Sequence, residues 1–369
     1  MKIAVYGASG YTGKLVAAEV DRRGFDLVML GRNETRLRAA ANDLRIPKPE
    51  LRPASLSDPE GLRTALTGCD VVVNCAGPFT ALGESVVHAA IAAGCHYVDT
   101  AGEQAYVKKV FDLCSEDATE ARVSVVPSMG YDILPGDFIA HLTCHDIEPI
   151  EHLTIAYAAT GFDMTRGTMH SALHSFQGRD LRLEQGEWRQ TGLRSHRDSV
   201  QFPGQRKASP MIKFPSGEIV TVPRHVDVAN MDIAIDACAL VPSRSFASLS
   251  TRMGPIMALT LRSPLRRLFD VLIDRLPEGP NESKRRKSTF TVMAIARRND
   301  GSEIRGIVSG RDIYGSTAVM CVEGARRLAT GSSPAGVLAP AQAFDPTDFL
   351  CFLKPYGVDW SVGEKPVWT

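Results

Sequence analysis

The chain has 369 residues, a length that predicts about two domains. Its 42 Lys and Arg residues balance its 42 Asp and Glu residues, which argues against a nucleic acid or an anionic membrane as the main partner, because either normally requires a basic excess. A hydrophobic content of 44% with 23% charged residues is typical of a globular protein and excludes a wholly disordered or fibrous chain.

No window reaches the roughly 18 consecutive apolar residues that a membrane helix needs, and the apolar run at the start meets Gly7 too soon for a secretory signal. The eight cysteines include no Cys-x-x-Cys pair, which favours reduced, buried thiols over a structural zinc site. We therefore expect a cytoplasmic protein without a membrane span.

The chain up to about residue 130 repeats one unit, in which a short β-rich run is followed by a turn and a helical pattern. The predicted strands are Lys2–Tyr6, Asp26–Leu30, Glu50–Arg52, Asp70–Asn74, His96–Asp99 and Val123–Val126. The predicted helices are Gly13–Arg23, Glu34–Leu44, Pro59–Leu66, Glu84–Ala93 and Gln104–Ala118. Apolar strands that alternate with helices predict an α/β fold with a doubly wound parallel sheet of the Rossmann type.

The alternation stops near residue 145. Longer strands are predicted at 152–160, 231–240, 288–298 and 303–312, with helices at Thr168–Phe176, around Ser245–Leu276 and at Thr317–Thr330. We therefore predict a Rossmann domain over residues 1–145 and an α+β domain with a mixed or antiparallel sheet over residues 146–330. Residues 331–369 form a tail with a short helix near Asp345–Leu353, and this tail is predicted to pack back on the first domain.

The first strand runs directly into the sequence GASGYTG at residues 7–13, and a predicted helix follows. The spacing is a variant of the dinucleotide-binding fingerprint, in which the glycines allow a tight turn, a close approach to pyrophosphate and close packing of helix on strand. The N–H groups at the helix start stabilise the phosphate charge. The motif predicts a nucleotide site at Gly7, Ser9, Gly10, Tyr11, Thr12 and Gly13.

The end of the second strand discriminates between the two nicotinamide dinucleotides. NAD sites place an acidic residue there to bind the ribose 2′-hydroxyl, whereas this chain has Arg32 and Asn33. Arg32 can pair with a 2′-phosphate through two hydrogen bonds, and Asn33 adds a neutral donor. We therefore expect NADP (NADPH) as the cofactor, with a solvent-exposed turn arginine as the alternative.

Three further motifs lie at later predicted strands: NCAGPF at 74–79 follows the fourth strand, HYVDTAGE at 96–103 follows the next helix, and PSMGYDILPGD at 127–137 follows the sixth strand. Together with GASGYTG, this series resembles the saccharopine dehydrogenase-like oxidoreductases of the saccharopine reductase type, a group that includes trans-acting enoyl reductases. The resemblance is dense over residues 1–140. It extends more loosely to the C-terminus through Thr165–Thr168 and 336–344.

The resemblance implies an NADP-binding Rossmann domain, a mixed α/β substrate domain and hydride transfer to a small molecule. It does not fix the substrate, because members of the group differ in what they reduce. We expect reduction of a C=C bond in an enoyl, polyketide-related substrate or of a C=N bond. A saccharopine-type amino-acid imine reductase and a non-catalytic protein that senses NADP are the alternatives, and the sequence leaves a homodimer open.

Ligands of an open parallel sheet bind beyond the carboxyl ends of its strands, where the three later motifs lie. Ala76, Gly77 and Pro78 offer a close backbone approach to the nicotinamide side of the cofactor. A reductase also requires a proton donor, or a water held in its place. The candidates are Tyr97, Asp99, Tyr131, Asp132 and, on the helix near Thr168, His170. Capping of a turn or helix is the alternative for the two aspartates.

Three further features of the sequence are less specific in what they predict. His170 and His174 have a spacing that can bind a metal, but no third ligand is evident, and we expect none. The basic run Lys284–Lys287 is either a solvated loop or a segment that closes over cofactor phosphates or an acidic substrate. The segment Pro255–Leu261 is apolar enough to line a pocket or a dimer contact.

Overall fold

The computed structural model describes residues 1–47, 49–175, 180–190, 199–239, 266–331 and 333–363. The strands are β1 (Lys2–Tyr6), β2 (Asp26–Gly31), β3 (Glu50–Pro53), β4 (Val71–Asn74), β5 (His96–Asp99), β6 (Ser124–Val126), β7 (Ile150–Thr160), β8 (Leu181–Glu184), β9 (Glu187–Gln190), β10 (Ser199–Val200), β11 (Ser209–Lys213), β12 (Val228–Asp236), β13 (Thr289–Arg297), β14 (Glu303–Arg311), β15 (Gly336–Val337) and β16 (Asp359–Gly363).

The helices are α1 (Tyr11–Arg22), α2 (Glu34–Asp43), α3 (Pro59–Leu66), α4 (Phe79–Ala92), α5 (Gln104–Glu120), α6 (Leu134–Cys144), α7 (Arg166–Ser175), α8 (Glu218–Thr221), α9 (Arg266–Asp274), α10 (Glu282–Arg285), α11 (Ile313–Thr330), α12 (Pro340–Ala343) and α13 (Pro346–Leu353). The helix predicted around Ser245–Leu276 is described only from residue 266 onward, and Pro255–Leu261 lies outside the described residues.

The first sheet has seven parallel strands in the order β15-β6-β5-β4-β1-β2-β3. Strand β1 lies in its interior, between β2 and β4, and Val5 lies opposite Met29 of β2 and Val73 of β4. The side chains of Val71, Val72 and Val73 are fully buried, as expected for a parallel sheet with covered faces. The predicted α/β fold with an N-terminal Rossmann sheet is confirmed.

Two helices begin about one turn earlier than the sequence pattern predicts, because a side chain outside the helical repeat caps each of them. Helix α4 begins at Phe79 rather than Glu84, since the Glu103 carboxylate accepts hydrogen bonds from the N–H groups of Phe79 and Thr80. Helix α11 begins at Ile313 rather than Thr317, since Asp312 accepts a hydrogen bond from the N–H of Gly315.

Two segments beyond residue 310 return to the first sheet. Helix α11 packs on β4 and β5 and beside α1, where Arg23 pairs with the buried Glu323 at 2.8 Å. Strand β15 pairs in parallel with β6. Helix α11 therefore covers the first sheet, although its residues fall within the range predicted for the second domain.

The second sheet is mixed, as the predicted fold class allowed. Its main path runs β10-β11-β12-β7-β13-β14-β16, and β8 joins it beside β12 with β9 on its far side. Strands β7 and β12 are parallel, while β13 pairs antiparallel with both β7 and β14. The last strand, β16, comes from the C-terminal tail, so that tail contacts both sheets.

The connection between the sheets places the functional cleft. Helix α6 leaves the first sheet and packs on β13 and β14 of the second. The turn before it, at Tyr131 and Asp132, therefore lies between the two sheets. The Tyr131 ring contacts Tyr157 of β7 and Phe290 of β13, and its backbone N–H donates to Thr317 of α11.

Candidate active site

The glycine loop after β1 has the geometry of a phosphate-binding turn. Gly7 has a φ of +79°, and its N–H donates to the carbonyl of Leu30 at 2.9 Å. A Cβ at Gly13 would lie 2.1 Å from the Gly7 oxygen, so only glycine fits there. A Cβ at Gly10 would meet only the Gly7 oxygen, at 3.4 Å, which leaves its open side free for a ligand.

The first turn of α1 has no protein cap. Its N-cap residue, Gly10, has no side chain, whereas α2 and α3 are capped by Asn33 and Asp58. The first-turn N–H groups are therefore free to bind an anion, as in other dinucleotide sites. Thr12 in this turn lines the pocket described below, and Tyr11 donates to the Pro280 carbonyl at 2.7 Å. The predicted loop residues, Ser9 included, thus lie together at this helix start.

Arg32 and Asn33 lie at the end of β2, as the sequence predicts, but their environments differ. Arg32 is exposed and has no hydrogen bond or ion pair within the part of the chain that the structure describes. Asn33 accepts a hydrogen bond from the N–H of Arg36 at 3.0 Å and so caps α2. The two positions that follow β2 therefore hold an exposed arginine and a capping asparagine, and neither is acidic.

The loop after β4 brings the backbone of Ala76, Gly77 and Pro78 to the cleft. The Ala76 N–H donates to Asn74 at 3.0 Å, and a Cβ at Gly77 would lie 3.2 Å from the hydroxyl oxygen of Ser171. The Glu103 carboxylate caps the start of α4, although Glu103 lies 24 residues after Phe79 in the sequence. The sequence predicts only the helix that begins just after Glu103, because no local pattern reveals a cap that is remote in sequence.

Tyr97 and Asp99 lie beneath the cleft in a closed, fully buried network. The Asp99 carboxylate accepts hydrogen bonds from the N–H groups of Ala101 and Ser128 and from the hydroxyls of Tyr97 and Tyr106, all at 2.7–2.9 Å. Burial raises the pKa of Asp99, while these four donors oppose the rise. The arrangement fastens the end of β5 to the turn after β6, and the structure does not bring either side chain to the pocket.

A pocket of ≈170 Å³ opens between the sheets, above the loops that follow β1, β4, β5 and β6. Its apolar lining consists of Phe79, Phe162, Phe214, Pro215, Ala172 and Ile313. Its polar lining includes several hydroxyl groups and two carboxyl groups, those of Glu103 and Asp132. Among the described residues, no Lys, Arg or His lines this pocket.

Tyr131 and Asp132 are the two predicted proton donors that the structure brings together at this pocket. The Tyr131 hydroxyl is buried and has no hydrogen-bond partner within the described ranges. Burial raises the pKa of Asp132 to about 6, and its carboxyl group likewise meets no hydrogen-bond or ion-pair partner in the described structure. Burial, together with Asp132 and Glu218, raises the pKa of Tyr131, so this phenol stays protonated at neutral pH.

A second buried cluster holds the backbone of Asp132 from behind. The hydroxyls of Tyr157 and Ser216 both contact the Glu218 carboxyl group, and both lie within 3.2 Å of the Asp132 carbonyl oxygen. Burial raises the pKa of Glu218 to about 8, so this carboxyl group carries a proton at neutral pH. The neutral acid supplies a third hydrogen, which leaves a hydroxyl free to donate to the Asp132 carbonyl. Sequence reasoning missed this cluster, since its members lie far apart in the chain.

The opposite wall comes from α7 and α11. The Tyr314 hydroxyl accepts a hydrogen bond from the N–H of Thr165 at 2.9 Å, and its ring stacks on Phe162. Its edge meets Tyr11 of the glycine loop at 5.4 Å between ring centroids. These contacts join the second domain directly to the glycine loop.

His170 faces away from the pocket. Gly167, Thr168 and Ser171 of α7 line the pocket, while the His170 ring nitrogens lie 3.2 Å from Asp270 and 3.1 Å from Asp274 of α9. His170 therefore fastens α9 to α7, and the structure does not bring it together with Tyr131 and Asp132. No group of three metal-ligating side chains occurs within the described ranges.

The basic run Lys284–Lys287 begins in the last turn of α10 and continues past its end, and three of its side chains pair with acids of this chain. Lys284 lies 3.5 Å from Asp163, Arg285 lies 3.2 Å from Asp312, and Arg286 pairs with Glu282. In the described part of the chain, no helix is long and apolar enough to cross a membrane.

Comparison with known proteins agrees with the geometry of the cofactor loop. Residues 3–126 match the family model described as the saccharopine dehydrogenase NADP binding domain. This match supports a nicotinamide dinucleotide as the cofactor, and the uncapped turn of α1 and the open side of Gly10 fit such a group.

The curated relatives include a trans-acting enoyl reductase from Mycobacterium bovis, 24% identical over 92% of this chain and 93% of the relative. A lipid droplet localized protein from Caenorhabditis elegans is 28% identical over 48% of this chain and 45% of the relative, so the chain matches less than half of that protein's length.

A solved structure, the apo form of saccharopine dehydrogenase (L-Glu forming) from Saccharomyces cerevisiae, has the same fold. Its TM-score is 0.60 over 98% of this chain and 99% of that chain, at 11% sequence identity. The sequence motifs, the domain match and the shared fold agree with one another. The match of residues 3–126 to the NADP binding domain model and the similarity to the curated relatives confirm the resemblance of the chain to saccharopine dehydrogenase-like oxidoreductases.

Proposed function

We propose that the protein is an NADPH-dependent reductase that reduces the C=C bond of an enoyl substrate with an apolar acyl chain. The observation that carries this proposal is the pocket itself, which pairs the unpartnered Tyr131 hydroxyl with the isolated Asp132 carboxyl group and has no cationic side chain in its described lining. The Mycobacterium bovis relative is a trans-acting enoyl reductase by name, which supports the same reaction class.

The charge of the lining favours an enoyl substrate over a saccharopine-type imine. Such an imine carries several carboxylates, and each would require an Arg or Lys in the pocket. The two charged groups that line the pocket in the described structure are acids, and Glu103 is already engaged by the start of α4. Phe79, Phe162 and Phe214 instead offer apolar surface to an acyl chain.

The cofactor half of the proposal rests on Arg32. Its guanidinium group has no acidic partner in the described structure and lies at the end of β2, where a ribose 2′-phosphate would be bound. We therefore assign NADP rather than NAD to this site, with the pyrophosphate at the first turn of α1.

Tyr131 and Asp132 each have a separate role in the proposed reaction. When it is bound, NADPH supplies the hydride. The Tyr131 hydroxyl donates a hydrogen bond to the substrate carbonyl oxygen and stabilises the negative charge that develops there. Asp132, in its protonated form, gives a proton to the carbon next to that carbonyl. The apolar side chains around them exclude water, and Glu218 holds the backbone of Asp132 through Tyr157 and Ser216.

The experiment is NADPH consumption, measured by absorbance, against a panel of enoyl thioesters, cyclic imines and keto acids. We expect turnover of enoyl thioesters with apolar acyl chains, and we expect Tyr131→Phe to lose activity while it still binds NADPH. Turnover of imines alone would contradict the enoyl assignment. Tight NADPH binding without turnover of any compound would favour a protein that senses NADP.

A further inference from the structure

A short segment of the second domain lies across the first turn of α1. This segment, Pro277–Asn281, is called the strap here. The Tyr11 hydroxyl donates to the Pro280 carbonyl at 2.7 Å, and the N–H of Arg166 donates to the Glu278 carbonyl at 3.2 Å. A Cβ at Gly279 would lie 2.7 Å from the Tyr11 ring and 2.9 Å from Thr165, so the strap lies directly on the glycine loop.

The strap inserts one carboxylate between two cations of the cofactor domain. Glu278 Oε2 lies 2.8 Å from Lys14 Nζ, and Glu278 Oε1 lies 3.9 Å from the guanidinium group of Arg36. Lys14 follows the glycine loop on α1, and Arg36 lies in the first turn of α2. Lys14 and Glu278 are about two-thirds shielded from solvent, with exposed fractions of 27% and 31%.

A dinucleotide bound at the glycine loop would pass close to this carboxylate. The pyrophosphate binds at the start of α1 and the adenosine ribose binds near the end of β2, so the ribose lies between α1 and α2. Glu278 bridges these same two helices. A carboxylate resembles a phosphate in its negative charge and in its oxygen acceptors, and it satisfies the same Lys and Arg donors.

We propose that Glu278 acts as a resident stand-in for the 2′-phosphate, and that Lys14 and Arg36 join Arg32 in binding that phosphate once Glu278 is displaced. Glu278 then sets the affinity for NADPH by competition, with little effect on NADH. The inference rests on the NADP assignment of the proposed function and adds the residues that contact the phosphate.

The first test is the affinity of Glu278→Gln for NADPH and NADH, measured by fluorescence titration without any substrate. We expect NADPH to bind about two- to fivefold more tightly to Glu278→Gln than to the wild type, the range of an exposed ion pair, and NADH affinity to change less than twofold. The matched control is Glu282→Gln, because Glu282 lies four residues further on and pairs with Arg286. An unchanged or weaker NADPH affinity in Glu278→Gln would overturn the proposal.

The second test removes Lys14 in the background that lacks the competitor. We expect Glu278→Gln/Lys14→Met to bind NADPH at least threefold more weakly than Glu278→Gln, because the lysine is then free to bind phosphate. Equal affinities would show that Lys14 serves only the strap. With adenosine monophosphates as probes, Glu278→Gln should bind 2′-AMP more tightly and 5′-AMP unchanged, and the reverse result would contradict the 2′-phosphate assignment.

These binding measurements separate the two proposals. A protein that shows the expected affinities but reduces no enoyl substrate retains the stand-in role of Glu278 and loses the proposed reaction. A protein that reduces enoyl substrates, but whose NADPH affinity does not respond to Glu278→Gln, loses the stand-in role alone.

Discussion

Arg32 and Asn33 are neighbours with different environments, and this difference gives the cofactor assignment a residue-level test. Asn33 is engaged in capping α2, while Arg32 extends into solvent without an acidic partner in the described structure. We expect Arg32→Ala to weaken NADPH binding by about 10- to 100-fold, because hydrogen bonds to a charged phosphate are lost, and to leave NADH binding within about twofold. Fluorescence titration measures both affinities.

The control for this prediction is Arg63→Ala. Arg63 is a surface arginine of α3 that pairs with Glu60, and its removal should change neither affinity. Equal losses of NADPH and NADH affinity in Arg32→Ala would contradict the 2′-phosphate role.

The protonation of Asp132 predicts that the rate of the reaction depends on pH. Burial raises its pKa to about 6, and only the protonated form can donate a proton. We therefore expect kcat/KM for the enoyl substrate to fall as the pH rises through about 6. Asp132→Asn should lower kcat by about 100-fold or more and abolish this limb of the profile.

The control is Asp112→Asn on the surface of α5, where Asp112 pairs with Lys108. It should retain both the rate and the limb. A wild-type profile that is flat between pH 5 and pH 8 would contradict the role of Asp132 as the acid.

The phosphate loop and α1 act as one element, and their glycines can be tested as a pair. Alanine at Gly13 would place its Cβ 2.1 Å from the Gly7 oxygen and push the helix away from the strand. We expect Gly13→Ala to lower the free energy of unfolding by about 2 kcal/mol or more and to lose NADPH binding. Gly10→Ala meets only an ordinary contact at 3.4 Å, so it should keep the wild-type stability and lose only the binding.

Chemical denaturation and NADPH titration of the two variants check this prediction. A Gly10→Ala variant that binds NADPH like the wild type would show that the phosphates do not lie against this turn.

The elements of the first sheet could be predicted closely from the sequence, because buried parallel strands are apolar throughout. Strands β1 and β5 have the predicted bounds, and so does helix α3, whose Asp58 and Pro59 form a local start signal. The start of α4 could not be predicted, because its cap, Glu103, comes from a remote part of the chain.

The residues of the candidate site could be predicted only where a local motif gives both the type of residue and its place in the fold. The glycine loop carries its own signature, so its residues lie where the motif places them. Tyr97 and Asp99 lie in β5, and Tyr131 and Asp132 follow β6. The two pairs are alike in sequence, and only the packing separates the buried pair from the pocket pair. The role of Glu218 could not be predicted from the sequence either, because β7 and the turn before α8 bring its partners, Tyr157 and Ser216, to it.

Glu218 makes the stability of the whole molecule depend on pH. Its pKa is about 8 in the folded protein, against an ordinary value of 4.5, so the folded state binds a proton that the unfolded state has lost between these values. The free energy of unfolding should therefore fall as the pH rises toward 8. Asp132 contributes in the same direction only up to about pH 6, so above that pH the slope that a Glu218 variant removes is not that of Asp132.

We expect Glu218→Gln to flatten the dependence of Tm on pH between 6 and 8 and to be more stable than the wild type at pH 8, measured by calorimetry. The exposed Glu282→Gln serves as the control and should retain the wild-type slope. A Glu218→Gln variant whose Tm follows the wild-type curve would show that Glu218 is ionised in the folded protein.

The two sheets together create the cleft, in which the cofactor loop of one sheet faces an apolar wall partly supplied by the other. We propose that hydride passes from NADPH to a C=C bond in this cleft. The most direct measurement is isotope transfer with NADPH deuterated at C4, with both epimers tested and an apolar enoyl thioester as acceptor. We predict that one epimer delivers deuterium to the β-carbon and that the α-carbon takes its hydrogen from solvent. A product without deuterium at the β-carbon from either epimer would contradict this proposal. So would the finding that only a C=N acceptor, tested in parallel, receives deuterium, on its former imine carbon.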